Sequence, residues 1–135
     1  QNALAHIQAG RALRPLRDEG ILILGSGVSF HNMSVLMTQD PAVKRSGSEH
    51  ARVWDSFLVE TIESEMLAEE RLARLAAWER CPSARQAHPI RAAEHLMPLF
   101  VVAGAADGNE GRRLPYRKPP CSMMVNVAVS QFEFA

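Results

Sequence analysis

The sequence predicts an α/β fold in which part of a central sheet is flanked by helices. The apolar run ILIL at residues 21–24 shows no alternation and lies between two glycines, a pattern typical of a strand buried on both faces. Apolar residues at helical spacing precede and follow this run, and residues 123–134 alternate with a period of two, as strands do. A chain of 135 residues with 47% hydrophobic side chains suits one core, so we expect a single domain over residues 1–135.

The predicted helices follow from the spacing of apolar residues and from the positions of proline. Residues 2–17 should form an amphipathic helix. The acidic and apolar segment 50–80 predicts two helices with a joint near residues 64–68. A further helix is expected over residues 89–103, and Pro98 would kink it unless the helix begins late enough to place this proline in its first turn.

Charge and composition exclude several classes of partner. Fifteen basic side chains balance fifteen acidic ones, so no global field favours nucleic acid or an anionic membrane. No apolar run approaches the roughly 20 residues that cross a bilayer. Cys81 and Cys121 lack the spacing of a metal or redox motif, which fits a reducing compartment, so we expect a cytoplasmic protein. Residues 106–120, rich in glycine, proline and charge, predict a long surface loop.

Two histidines carry the functional prediction. His31 lies in the sequence GSGVSFHN directly after the predicted strand, where a rigid strand end can aim an imidazole into a cleft. His95 lies in EHLMPLF at the start of an apolar helical stretch. Together they indicate a metal site or an acid/base site. The alternatives are that His31 only caps local backbone and that His95 is a hydrogen-bonded core histidine.

The other nucleophilic or ligating side chains have weaker support. His88 is seven residues before His95, which on one helix means about 10 Å along the axis, too far for two ligands of one metal ion. We therefore expect His88 to be a helix N-cap or a supporting residue. His6 and His50 lie near predicted helix starts without a motif. A cysteine hydrolase that uses one of the two cysteines with a histidine is a third alternative, although no motif lowers the pKa of either thiol.

The histidine motifs resemble those of a known family. An apolar strand followed by GSGxSxHN, and some sixty residues later HPxxxxEHLMPLFVVAGAA, is similar to the carboxy-terminal half of the class III extradiol ring-cleaving dioxygenases, in the branch typified by 4,5-DOPA dioxygenase. The lead-in at residues 10–20, Trp54 with Phe57, and the closing residues 132–134 are also similar to that branch. The resemblance covers nearly the whole chain.

The resemblance implies a fold, a reaction and roles for particular residues. It implies the C-terminal half of the family fold, and an oxidoreductase that opens a catecholic ring with O2 at a non-haem Fe(II), a position that Zn(II) can also occupy. His95 matches a metal ligand of the family. His31 matches the acid/base histidine, which also approaches the metal. The residues that the resemblance places in supporting or substrate-binding roles are Ser26, His88, Asn32 and Glu94.

The sequence also departs from that family. The early histidine-glycine-serine-proline motif of the family and a later ligand histidine have no counterpart here. We therefore expect an incomplete metal site that binds Fe(II) poorly, if at all. Three alternatives stay open: a separate amino-terminal chain completes the site, copies of this chain associate, or the sequence is a fragment of a longer protein. A different class of function, a binding or scaffold domain that keeps the fold without metal, is the alternative to catalysis.

Overall fold

A computed structural model describes residues 2–115 and 126–134 of the chain. These residues form mainly helices, with a single 3-10 turn at Trp78–Arg80. The helices are α1 (Ala3–Asp18), α2 (Met33–Leu36), α3 (Pro41–Glu63), α4 (Ala68–Ala76), α5 (Ala84–Ala87) and α6 (Met97–Ala105). None of the helices in this described part of the chain is long and apolar enough to cross a membrane.

The sheet is much smaller than predicted. Strands β1 (Gly111–Arg113) and β2 (Phe132–Phe134) pair antiparallel, with Arg112 opposite Glu133, and they form the only sheet within the described ranges. The sequence therefore predicts the mixture of helix and strand, but the described residues form no central sheet. The predicted loop 106–120 contains β1 and continues into residues 116–120, which lie outside the described ranges.

The predicted buried strand at residues 21–24 is wrong. The segment has no strand structure, and Ile21, Leu22 and Leu24 are exposed by 47%, 85% and 83%. Its apolar side chains are those of a buried strand, but no other strand of the described chain lies beside it to complete a sheet. Of the predicted strand at 123–134, only β2 forms, and residues 123–125 are not described.

The helix predictions are confirmed in part. Helix α1 matches the first predicted helix, and α3 and α4 are separated at residues 64–67, as the acidic segment predicts. Helix α3 begins earlier than predicted, at Pro41, because the side chain of Asp40 accepts a hydrogen bond from the Ala42 N–H and caps it. The predicted start at Pro89 is wrong, since α6 begins only at Met97 and holds Pro98 in its first turn. There a proline costs no helical hydrogen bond.

Helix α6 is fixed by close packing against α1. A Cβ added at Gly104 would lie only 2.1 Å from the Ile7 carbonyl oxygen, so glycine permits this approach of the two helices. The core continues through the fully buried rings of Trp54, Trp78 and Phe100. As a result the start of α6, two residues after His95, has a defined position against the rest of the described chain.

A buried arginine joins three segments beside this core. Arg71 in α4 is only 2% exposed, and its guanidinium donates to the carbonyl oxygens of Thr61 (3.1 Å), Ser64 (2.5 Å) and Gly108 (2.5 Å). Two of these acceptors lie at the C-terminal end of α3, where the helix dipole favours a cation. Arg71 thus ties α3, α4 and the turn after α6 together.

Candidate active site

Three potential ligands converge at one place on the molecule. Ligand atoms of His31, Glu94 and His95 all lie within 4.8 Å of one another. The ring centroids of His31 and His95 are 3.9 Å apart, with their planes inclined at 42°. His31 comes from the segment before α2, whereas Glu94 and His95 come from the turn that leads into α6. The two histidines that the sequence singles out therefore share one site.

Backbone hydrogen bonds hold the His31 segment against the turn before α6. The Val28 N–H donates to the His95 carbonyl, and the His31 N–H donates to the Ala87 carbonyl, both at 3.0 Å. Close approach at this point requires glycine at position 27, because a Cβ there would lie 2.2 Å from the His95 carbonyl oxygen. The glycines of the GSG sequence thus allow the contact that brings the two imidazoles together.

His88 supports the same segment from the core. Its Nε2 lies 2.8 Å from the Ser29 carbonyl oxygen, which also accepts a hydrogen bond from the Trp54 indole, so Nε2 carries the proton. The His88 ring is completely buried and meets the rings of Trp54 and Trp78 edge-on. Burial lowers the pKa of His88 to about 4, against the opposing effect of the Ser29 carbonyl. His88 is therefore a neutral donor at pH 7.

The local environment also keeps His31 neutral. Burial, and then the neighbouring His95, lower the pKa of His31 below its ordinary value of 6.5, while Glu94 acts in the opposite direction. The Nδ1 atom of His31 is buried and has no hydrogen-bond partner among the residues described. A neutral imidazole with an uncommitted nitrogen can bind a metal ion or accept a proton.

The donor set fits a divalent transition metal. Two imidazoles and one carboxylate are the ligands of the facial triad of non-haem Fe(II) sites, and the same donors also suit Zn(II). His31 and His95 are partly exposed and Glu94 is exposed, so the site opens to solvent. Glu94, for which the sequence predicts a supporting role, is a third candidate donor in the structure. Its position directly before His95 is the signal in the sequence that could have indicated this.

The remaining predicted site residues occupy different environments. Ser26 is exposed beside the site, in the wall of a groove. Asn32 is buried, and its amide group accepts from the Val35 N–H and donates to the Gln86 carbonyl at 2.8 Å, so it caps α2. His88 lies at the C-terminal end of α5, so the expected N-cap role is wrong. The substrate-binding roles of these residues stay predictions.

His6, His50 and Cys81 are not part of this cluster. The Nδ1 atoms of His6 and His50 make local contacts, with the Asn2 carbonyl at 2.7 Å and the Ser83 hydroxyl at 3.0 Å. His50 lies within α3 rather than at a helix start. Cys81 is a free, buried thiol, and Cys121 lies outside the described ranges.

A groove runs away from the site along the exposed segment. Its lining includes His95, residues 21–29, Pro98 and Val102 of α6, and the residues of β2. Most of its lining is aliphatic or aromatic. His95 thus belongs both to the cluster of donors and to the lining of a largely apolar groove.

Comparison with known proteins identifies the family. Residues 3–129 match the family described as the catalytic LigB subunit of aromatic ring-opening dioxygenase. The chain belongs to this family, and among the class III extradiol dioxygenases it falls in the 4,5-DOPA dioxygenase-like branch.

Individual relatives agree with that assignment. The chain is 36% identical over 117 residues to dioxygenase tasH of Hapsidospora irregularis, covering 82% of this chain and 35% of the relative. It is 33% identical over 109 residues to 4,5-DOPA dioxygenase extradiol of Beta vulgaris, covering 81% and 37%. The corresponding protein of Escherichia coli (strain K12) is 29% identical over 112 residues, covering 82% and 38%. No solved structure matches. The chain thus spans little more than a third of the length of these relatives.

Proposed function

We propose that this chain provides one part of an extradiol dioxygenase that opens catecholic rings with O2. The observation that carries the proposal is the convergence of His31, Glu94 and His95 within 4.8 Å. The chain belongs to the family of aromatic ring-opening dioxygenases, which supports ring opening as the reaction that this cluster serves. The unpaired thiol of Cys81 fits the reducing cytoplasm that we expect for the protein.

His95 and Glu94 are the proposed ligands of a non-haem metal ion, with His31 beside them. A bound Fe(II) would supply a centre at which a catecholate and O2 can meet, and Zn(II) would occupy the same donors without redox chemistry. The chain itself contributes orientation and proton transfer. Partial burial and the neighbouring His95 lower the pKa of His31, so that its neutral imidazole can accept the proton of a catechol hydroxyl.

Supporting residues would fix the geometry of this proton acceptor. His88 and Trp54 hold the Ser29 carbonyl, two residues before His31, and Asn32 fixes the first turn of α2. Ser26 and the groove beyond it would contact the aromatic substrate. Further ligands and the rest of the substrate pocket would come from the part of the family protein that this chain does not span.

Metal binding by the chain tests the first step. We expect anaerobic titration with Co(II), Zn(II) or Fe(II) to show one site per chain, weakened at least tenfold in His95→Ala and in Glu94→Gln. His50→Ala is the matched control, because it removes a histidine that lies outside the cluster. Equal metal affinity in all of these variants would contradict the assignment of the ligands.

Ring opening tests the second step. The chain is combined with the portion of the Beta vulgaris relative that lies outside the match, reconstituted with Fe(II), and assayed with a catechol for the yellow ring-opened product. We expect His31→Ala to abolish turnover while leaving assembly intact. Normal turnover in that variant, or an inactive assembly that contains Fe(II), would contradict the proposal.

One observation favours a second function, that of a binding domain without metal. Leu22 and Leu24 are among the most exposed large apolar side chains in the described part of the chain, which is typical of an interaction surface. The metal content of the native assembly separates the two functions, because a binding domain requires none.

A further inference from the structure

A second cleft runs between α3 and α4. Among the described residues, none lines both this cleft and the groove beside His95. The contacts along the two helices and the 3-10 turn are Arg71 with the Thr61 carbonyl (3.1 Å), Arg74 with the Phe57 ring (5.4 Å to the centroid) and Trp78 with Trp54 (5.8 Å between centroids). Later residues of the second segment thus meet earlier residues of the first, so the two helices are antiparallel.

The charged side chains of this cleft are divided between its two ends. Arg52 precedes Glu60 on α3 by about 12 Å along the helix axis. Because the helices are antiparallel, Arg80 lies at the level of Arg52, and Glu70 lies at the level of Glu60. One end of the cleft is therefore basic and the other end is acidic.

Most of these charges are available to a partner. Glu60 lies 3.5 Å from the guanidinium of Arg74, in the middle of the cleft. Arg52, Arg80 and Glu70 make no ion pair within the described part of the chain. Both ends of the cleft thus present charges that this chain does not neutralise itself.

The cleft is apolar between its charged ends. Val53 is 49% exposed and Phe57 is partly buried beside it. On the opposite helix the lining side chains are the alanines at 73 and 77, which are small enough for another helix to approach closely. Pairs of antiparallel helices with an apolar centre pack on one another as four-helix bundles.

We propose that two copies of this chain pair through the α3–α4 cleft. The pairing uses a two-fold axis that lies in the interface and crosses α3 at right angles at the level of Ser56, midway between Arg52 and Glu60. Such an axis joins identical surfaces, and here the basic end of each copy faces the acidic end of the other. The chain has fifteen basic and fifteen acidic side chains, so no net charge opposes the association.

Other occupants match only part of this surface. A small anion would engage Arg52 and Arg80 and leave the acidic end and Val53 uncovered. Two copies with parallel helices would bring like charges together at both ends. The antiparallel dimer uses the basic end, the apolar centre and the acidic end at the same time.

Sedimentation of the metal-free chain tests the pairing directly. We expect a dimer at about 100 μM chain, a concentration that reveals even weak association. Its dissociation constant should rise at least threefold between about 50 and 500 mM NaCl, because salt screens exposed charges. Val53→Asp should weaken dimerisation at least tenfold. Val43→Asp is the matched control, because Val43 is a 39% exposed valine of the same helix that does not line the cleft.

Exchange of the charges tests the orientation of the two copies. One variant makes both ends of the cleft acidic and another makes both ends basic; these variants are Arg52→Glu with Arg80→Glu, and Glu60→Lys with Glu70→Lys. Exposed charges contribute little to the stability of a single chain, so the effect falls on association. Each variant alone should be monomeric, and an equimolar mixture should associate at least tenfold more tightly than either one.

The controls place the same changes of net charge on exposed side chains outside the cleft. They are Lys44→Glu with Arg45→Glu, and Glu49→Lys with Glu65→Lys. Each control should dimerise within threefold of the unmodified chain, which shows that the position of the charges and not their sum decides the pairing.

Several results would overturn the proposal. These are an unmodified chain that stays monomeric, equal weakening by Val53→Asp and Val43→Asp, and charge-exchanged variants that dimerise separately. A dimer that is insensitive to salt and is abolished by Leu24→Asp would place the contact at residues 21–24 instead. If circular dichroism shows that the charge-exchanged variants do not fold, the salt dependence and the two valine variants decide. Association is measured without metal or substrate, so its failure leaves the proposed ring opening untouched.

Discussion

Substitution of Gly27 by alanine tests whether the contact between residues 25–28 and the turn before α6 builds the site. The added Cβ would lie 2.2 Å from the His95 carbonyl oxygen, more than an ångström short of ordinary van der Waals contact. Backbone oxygen cannot rotate away as a flexible side chain can. The segment must therefore move, and the Val28 hydrogen bond to that same oxygen is lost or lengthened.

The expected cost follows from these two effects. Overpacking of a close contact costs about 1–3 kcal/mol and a lost hydrogen bond about 0.5–1.5 kcal/mol, so Gly27→Ala should lower the free energy of unfolding by about 2–4 kcal/mol. The matched control is Gly20→Ala. Gly20 has a positive φ of 77° with nothing within 4 Å of an added Cβ, so its cost is only the conformational one, about 1–2 kcal/mol.

The functional readout is metal affinity. Displacement of the His31 segment from His95 should lower the affinity for Zn(II) about 10–100-fold in Gly27→Ala, the range for loss of a contact that orients a ligand. Gly20→Ala should leave the affinity unchanged. Urea unfolding gives the stability and competition with a chromophoric chelator gives the affinity. Gly27→Ala with the stability and affinity of Gly20→Ala would refute the reasoning.

Two further predictions concern buried polar side chains. The pKa of His88 lies near 4 in the folded chain and near 6.5 when unfolded, so the unfolded state binds more protons between these values. Stability should be complete above pH 6.5 and fall by about 3 kcal/mol toward pH 4. Urea unfolding across this range should show the loss, and His88→Gln should reduce it; an unchanged pH dependence would contradict the assignment. Arg71→Met should lower the free energy of unfolding by about 3–5 kcal/mol, because three carbonyl oxygens lose their donor; Arg52→Met, at an exposed position, should change it by less than about 0.5 kcal/mol.

The proximity of His31 and His95 could be predicted from the sequence more readily than the sheet could. The GSG sequence before His31 indicates a sharp approach to another segment, and the structure supplies that segment as the carbonyl of His95. Apolar residues at helical spacing likewise predict α1, α3 and α4. The GSG sequence and the helical spacing are local signals, because each depends on residues close together in the sequence.

The central strand could not be predicted correctly from the same local information. Residues 21–24 have the composition of a buried strand, but burial requires neighbouring strands that the described residues do not provide. Similarly, the turn containing Glu94 depends on the late start of α6 at Met97 rather than on helical periodicity. Both the absence of a strand at residues 21–24 and the turn at Glu94 depend on contacts between distant segments. The residue pattern of one segment does not specify which other segment it contacts.

The position of His31 is fixed by contacts within the described chain. Its N–H donates to the Ala87 carbonyl, and the preceding residues are held through the Val28 hydrogen bond to His95 and through His88. Gly27 takes part in this contact because of its close approach to the His95 carbonyl, whereas Leu24 is 83% exposed. We therefore expect Leu24→Asp to leave the Zn(II) affinity of the chain intact. A loss of affinity comparable to that of Gly27→Ala would show that the exposed residues before Gly25 also orient the imidazoles.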